Sequence, residues 1–389
     1  MACHRGVVQF SEIAGGFPHV LSEIYGEPLT VVGVDRPPPV SHADQPWLAV
    51  KYGPADTDDL HGVTPVTVTT TDRVVDLIVK VNPVHGIGET LIPWICDTFG
   101  VELPAPYATF HSAREVVATG ARESNVYDLS VTMPELMALL PPYFGTITAH
   151  GERALLLGDV TPLAGLDAGG AVAHWTSPHV DAALRAIGAV HAASTPVADG
   201  LAWLPPRTDA TTFAGDAELW QALLADATRR FPDIVTPEVA ASRARLIETA
   251  SDWYRAKEPM PTVLAHNGFN QRNVGFDADD RVVALDWELA RLDSPQRDVA
   301  ELLTFLLPPD VSYETLDHHA TQHRESLGAN GLVIAEADYR AALAADLRSE
   351  AVERVGMQLL FAAAFDLPYI PRINATVQRL VDLTEPWLA

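Results

Sequence analysis

Cysteine is nearly absent from this chain: Cys3 and Cys96 are the only two among 389 residues. Two thiols supply neither a disulfide framework nor a cysteine-rich metal cluster. No apolar run approaches the ~18 residues that a membrane span needs. The opening residues MACHRGVVQF show neither the apolar core nor the cleavage site of a secretory signal, so a cytoplasmic protein is expected. Basic residues are also few. Twenty-six Lys and Arg stand against 51 Asp and Glu, for a formal net charge of -25. Such a charge repels the phosphates of nucleic acid and of anionic membranes, so neither is expected as a partner. The acidic residues are spread along the chain, as in a protein kept soluble by its charge.

What is present describes a globular protein. Hydrophobic residues make up 48% and charged residues 20% of a chain too long for one ordinary core. Residues 33–47 (GVDRPPPVSHADQPW) read as an extended connector, because each proline fixes φ and removes a donor. Residues 66–70 and 74–81 are rich in β-branched side chains and read as two strands joined by a turn at 71–73, with Gly62 before the first. A helix is expected over 113–129, with Gly120 a weak point. A turn at 140–146 leads into a strand. A short apolar strand at 154–157 follows, ending in Gly158 and Asp159. From about residue 178 the apolar spacing turns helical, over 180–193, 216–229, 238–256 and 337–366. Strands first and helices afterwards predict an α+β fold with a sheet-rich lobe over 1–160 and a helical lobe over 161–389.

The most informative stretch is 263–303, VLAHNGFNQRNVGFDADDRVVALDWELARLDSPQRDVAELL. Residues 266–273 read His-Asn-Gly-Phe-Asn-Gln-Arg-Asn. Asp286-Trp287-Glu288 follows the apolar run at 282–285, and Arg297-Asp298 comes shortly after. An Asp placed after four apolar residues is costly to bury without a partner. Upstream, Lys80 ends the apolar run at 77–79, and Arg122-Glu123 opens a run that ends in Tyr127.

Together these pieces resemble the aminoglycoside phosphotransferase and choline-kinase-like branch of the protein-kinase fold, over about residues 50–370. The resemblance implies a bilobal kinase-like architecture, ATP and Mg²⁺ as cofactors, and a small hydroxylated metabolite as substrate. Phosphoryl transfer needs a hard cation on the phosphate oxygens, and such a cation takes carboxylate and amide oxygens. By resemblance, Asn273 and Asp286 are its ligands, and Asp298 braces the catalytic loop from a helix N-terminus. Lys80 would hold the nucleotide phosphates, with Glu123 as its partner and Glu115 as a competitor for that role. Gly62, in the run Asp59-Leu60-His61-Gly62-Val63-Thr64, falls where the phosphate-covering loop belongs, and Thr64 or Thr67 could add a contact. Asp159 falls where backbone would hold the adenine. The catalytic positions implied are His266, Gly268, Asn270 and Glu288.

One departure stands out. The family loop reads His-x-Asp-x-x-x-x-Asn, and where its Asp accepts or orients the proton of the attacking hydroxyl this chain has Gly268. Gln271 also replaces a common Pro. Three readings are open: a phosphotransferase with impaired or absent ordinary transfer, in which Glu288 or Asp293 stands in; a nucleotide-binding pseudokinase; or a cleft repurposed for a tailoring reaction, elimination or cyclisation, in natural-product biosynthesis. His191 reads as a packed structural histidine. Asp317, His318, His319 and His323 read as a solvated helix face; His319 and His323 are four residues apart, but no third ligand continues that face.

Overall fold

The computed structural model describes residues 10–36, 62–81, 87–103, 119–149, 152–160, 163–167 and 171–388. The chain divides into two units, Met1–Ile92 with Val116–Pro162, and Pro93–Glu115 with Leu163–Ala389. Most of the Pro-rich connector, Asp59-Leu60-His61 and Glu115 lie outside the described residues.

The first unit is built on one antiparallel sheet. Its strands are β1 (Val31–Asp35), β2 (Gly62–Thr70), β3 (Val74–Val81), β4 (Tyr143–Ala149) and β5 (Glu152–Gly158), in the order β1-β2-β3-β5-β4. β2 starts at Gly62, earlier than its β-branched core suggests. Pro65 is tolerated inside it because, among the described residues, β1 pairs only with Thr67–Thr70 and leaves the Pro65 end without a neighbour on that side. Alternation assigns the faces. Val75, Leu77, Val79 and Val81 turn to one side. There they join Val66, Val68, Ala154 and Leu156 in a core completed by Ile13, Phe17, Val20 and Leu21 from the N-terminal helices. Lys80 turns to the other side. That face carries Leu155 and Leu157, both buried, and the helix Thr119–Ser130 belongs to the same unit.

In the second unit, short ladders are set among helices. β6 (Val263–Ala265) pairs with β9 (Arg291–Asp293), and β7 (Val274–Phe276) with β8 (Val282–Ala284). The helix Gln296–Leu306 is buried at every position. The helix expected over 238–256 breaks at Thr249 into Pro237–Glu248 and Ala250–Tyr254. The one expected over 337–366 begins as Glu336–Ser349, widens into a π turn at Glu350–Arg354 and resumes as Val355–Ala362.

The solvated-face reading of the histidine helix is corrected for two of its four residues, while His318 stays exposed and Asp317 partly so. On the helix Tyr313–Ala329, His319 is 1% and His323 0% exposed. The cause lies in the helix Ser177–Ser194. A Cβ on Gly188 would stand 2.8 Å from Ser326 Oγ and 3.3 Å from His323 Cδ2, so the glycine lets the two helices approach closely. Ser326 Oγ then donates to Arg185 O at 2.9 Å.

Candidate active site

In the first unit, Lys80 Nζ lies 2.9 Å from Glu123 Oε1 and 2.8 Å from Oε2. Strand alternation puts Lys80 on the face opposite the main core, where an unpaired lysine belongs in water. It is 7% exposed and Glu123 0%. The pairing accounts for this burial, since a charge leaves water only when another charge and hydrogen bonds replace the solvent. Gly62 stands at the start of β2 with φ 89°, a conformation open to glycine, and its neighbour Val63 is in register with Lys80. Asp159 is exposed, directly after β5.

In the second unit, the loop 266–273 leaves β6 and enters β7. Its entry is held by Asp298, in the first turn of the helix Gln296–Leu306. The Asp298 carboxylate accepts the backbone N–H of His266 and that of Asn267, both at 2.8 Å, and lies 3.0 Å from His191 Nε2. Burial pushes its pKa up, but the hydrogen bonds it accepts from His191 and from the His266 backbone outweigh that and hold it below the ordinary carboxylate value. Asn267 has φ 56°, the left-handed region that Asn tolerates better than most residues. Its Oδ1 accepts from Arg297 Nε at 2.9 Å and its Nδ2 donates to Leu289 O at 3.1 Å.

His266 is fully buried. Its Nε2 is 2.8 Å from Leu285 O, so Nε2 carries the proton and the buried Nδ1, which has no hydrogen-bond partner among the described residues, is the unprotonated nitrogen. Burial lowers its pKa, which keeps the ring neutral. Through that bond the histidine ties the loop to the residue before Asp286. It is a positioning residue in this geometry. Asn270 is likewise engaged at both ends, donating to Glu301 Oε1 at 2.7 Å and accepting from Arg272 N at 3.0 Å.

Asn273 and Asp286 are brought together by backbone. The β7–β8 ladder is extended by Leu285 N donating to Asn273 O at 2.7 Å, so Asp286 follows directly on Asn273's partner. Asn273 Nδ2 donates to Gly268 O at 2.9 Å, and Oδ1 is the atom left for a cation. Asp286 has φ 61° and ψ 62°, a backbone state that costs a non-glycine residue free energy and clusters at functional sites. One amide oxygen and one carboxylate are the hard donors that Mg²⁺ takes, so these residues fit the ion. Glu288 is 3% exposed, in the 3₁₀ turn Trp287–Leu289 that follows Asp286. Asp293 is not available as a stand-in base. It is buried, 3.1 Å from Lys257 Nζ and 3.3 Å from Arg291 Nε, and Lys257 also meets Asp346 at 2.6 Å.

Sequence reasoning missed the charges beneath this loop. Arg354 lies in the π turn, contacts Asn267 O and is 2.9 Å from Glu301 Oε2, while Arg297 Nη1 is 3.2 Å from Glu350 Oε2. Burial, with the nearby Glu301 charge adding to it, raises the Glu350 pKa to about 8. A single π turn inside a helix is itself a signature of functional regions, but nothing local in the sequence announces it.

Behind Asp298 a buried chain continues. His191 Nδ1 is 3.1 Å from His323 Nε2, and His323 Nδ1 is 2.8 Å from the Tyr339 hydroxyl. Burial first, and His191 second, hold His323 well below the ordinary value. The folded state therefore refuses a proton that the unfolded chain accepts below about pH 6.5, and stability present above that pH is lost as pH falls through it. His266, also lowered, adds in the same direction. We expect the melting temperature to drop between pH 7 and 5.5, at up to about 1.4 kcal/mol per pH unit for each histidine. In His323→Gln the slope should be shallower, as read by thermal denaturation across that range.

A model of the phosphotransferase enzyme family, APH, matches residues 132–355. No curated protein matches the chain at a significant level. Among solved structures, the chain is similar to macrolide 2′-phosphotransferase MphH from Brachybacterium faecium, at 12% identity over 94% of this chain and 97% of that one, with a TM-score of 0.47. It is similar to spectinomycin phosphotransferase in complex with ADP and spectinomycin, at 10% identity over 95% and 97%, with a TM-score of 0.48. It is also similar to choline kinase LicA from Streptococcus pneumoniae, at 10% identity over 95% and 98%, with a TM-score of 0.43. With a family match that spans more than half of its residues, and an α+β fold that carries the family's loop, the chain belongs to the phosphotransferase enzyme family.

Proposed function

We propose that this protein binds ATP with Mg²⁺ and acts on a small hydroxylated metabolite in the cytoplasm, with phosphoryl transfer impaired by the glycine at position 268. The observation that carries this reading is the state of the loop around that glycine. Asp298 holds its entry and Asn273 closes it onto Gly268 O; within the first unit, separately, Lys80 is paired with Glu123. A site that no longer served a nucleotide would have no need to hold Lys80 and Glu123 buried as a charged pair.

Asn273 and Asp286 would hold the metal, which when bound neutralises phosphate oxygens. Lys80, oriented by Glu123, would bind phosphate. Asp298 and His266 hold the loop in shape. No side chain at position 268 orients an acceptor hydroxyl, and general acid–base help of that kind is typically worth about 10²–10⁴-fold in rate. The loose transition state of phosphoryl transfer leaves a basal rate through positioning alone.

The test is ligand-induced stabilisation. A ligand at 100 times its dissociation constant adds about 2.7 kcal/mol to the folded state. ATP with Mg²⁺ should raise the melting temperature of the wild type, and the rise should be abolished in Asp286→Asn and in the paired Lys80→Met/Glu123→Leu variant. An equal rise in all three proteins would contradict the proposed roles of these residues.

A further inference from the structure

We propose that Asp181, His318 and His319 form a binding site for a divalent transition-metal ion of the zinc class, pinning the helix Ser177–Ser194 to the helix Tyr313–Ala329. Asp181 Oδ2 lies 2.9 Å from His318 Nε2 and Oδ1 lies 2.8 Å from His319 Nδ1. The three potential ligand atoms all fall within 4.8 Å of one another. Two imidazole nitrogens and a carboxylate are the donor set that Zn²⁺ accepts from proteins, with a fourth position left to water. Around such an ion, neighbouring ligand atoms stand ~3.3 Å apart, given bonds near 2.0–2.2 Å. Each nitrogen therefore has to withdraw by about half an ångström from the carboxylate oxygen it now meets, and the ligand atoms, within 4.8 Å of one another, draw in around the ion.

The environment supports binding. His319 is buried and Asp181 mostly so, which fixes two ligands in place. The His318 side chain is 48% exposed and gives the ion an approach from solvent. In the metal-free arrangement each ring points an N–H at the carboxylate. On binding, the liganding nitrogen gives up that proton, which the other ring nitrogen can take by a change of tautomer. The excess of acidic residues over the whole chain raises the local concentration of any cation. His323, one helical turn beyond His319, reaches His191 and through it Asp298. The ion would therefore stiffen the helix that backs the loop 266–273.

The experiment is titration of the full chain at pH 7.5 with Zn²⁺, and separately with Co²⁺ as a spectroscopic probe, without nucleotide or Mg²⁺. We expect the wild type to take up one equivalent that His318→Ala loses, with affinity weakened at least tenfold. The Co²⁺ absorption should be that of a low-coordinate nitrogen–oxygen site, and Zn²⁺ should raise the melting temperature. His318 is exposed, so this variant keeps the fold; Asp181→Asn should behave like it, and His19→Ala, an exposed histidine elsewhere, should not. If no equivalent binds below about millimolar metal, or if His318→Ala and Asp181→Asn bind as the wild type does, the three residues are a hydrogen-bonded clasp only and the proposal fails.

Discussion

Gly268→Asp is expected to raise phosphoryl transfer or ATP hydrolysis by about 10²-fold or more over the wild type. The backbone permits it. Positive φ in this loop falls on Asn267, at 56°, and not on Gly268, so position 268 does not require a glycine. The space is tight without being closed. A Cβ there would stand 3.2 Å from Asn273 Nδ2 and 3.3 Å from His266 Nδ1, contacts that need a shift of a few tenths of an ångström. The new carboxylate would sit in a loop already held by Asp298. Its cost is electrostatic, because a second acid near Asp286 opposes ionisation of both when no cation is present. Turnover of ATP by the two proteins, with and without a panel of hydroxylated small molecules, measures the gain. In a cleft repurposed for elimination or cyclisation, the same substitution should instead damage the native reaction.

Asp298→Ala is expected to cost the fold about 3–5 kcal/mol, a large part of the 5–15 kcal/mol that stabilises a typical domain. The alanine would leave two loop amides and His191 Nε2 without their acceptor, in a place where all of these groups are buried. A buried donor stripped of its partner costs more than the bond itself contributed. Asp298→Asn keeps the volume and one acceptor oxygen, so its loss should be smaller. Chemical denaturation of the three proteins ranks them. Near-equal midpoints would mean that Asp298 does not hold the loop.

The parts of this molecule that could be read from the sequence were those with a strong local pattern. The β-branched run before Lys80 and the apolar run before Asp286 mark strands, because a strand imposes period two on side chains and a buried one is apolar. The helices after residue 178 followed from their three-and-four spacing. Long-range pairing was not readable. His319 and His323 carry a composition that usually means a wet helix face, and only Gly188, more than a hundred residues away, makes room to bury that face. Glu301, Arg297, Glu350 and Arg354 come together beneath the loop from separate helical segments, the last two on a π turn that propensity does not encode. The N-terminal helices Phe10–Ala14 and Phe17–Tyr25 and the strand β1 complete the first unit's sheet and core, although their short apolar patterns gave little signal alone.

The central claim is that the loop keeps a working nucleotide and metal site and lacks only the hydroxyl-orienting carboxylate. Calorimetric titration of the wild type with ATP, in the presence and absence of Mg²⁺, tests it most directly. The predicted result is saturable, Mg²⁺-dependent heat in a protein whose turnover remains far below that of Gly268→Asp. Absence of heat and of thermal stabilisation at millimolar nucleotide would contradict both the phosphotransferase and the pseudokinase readings, and would leave a cleft turned to other chemistry.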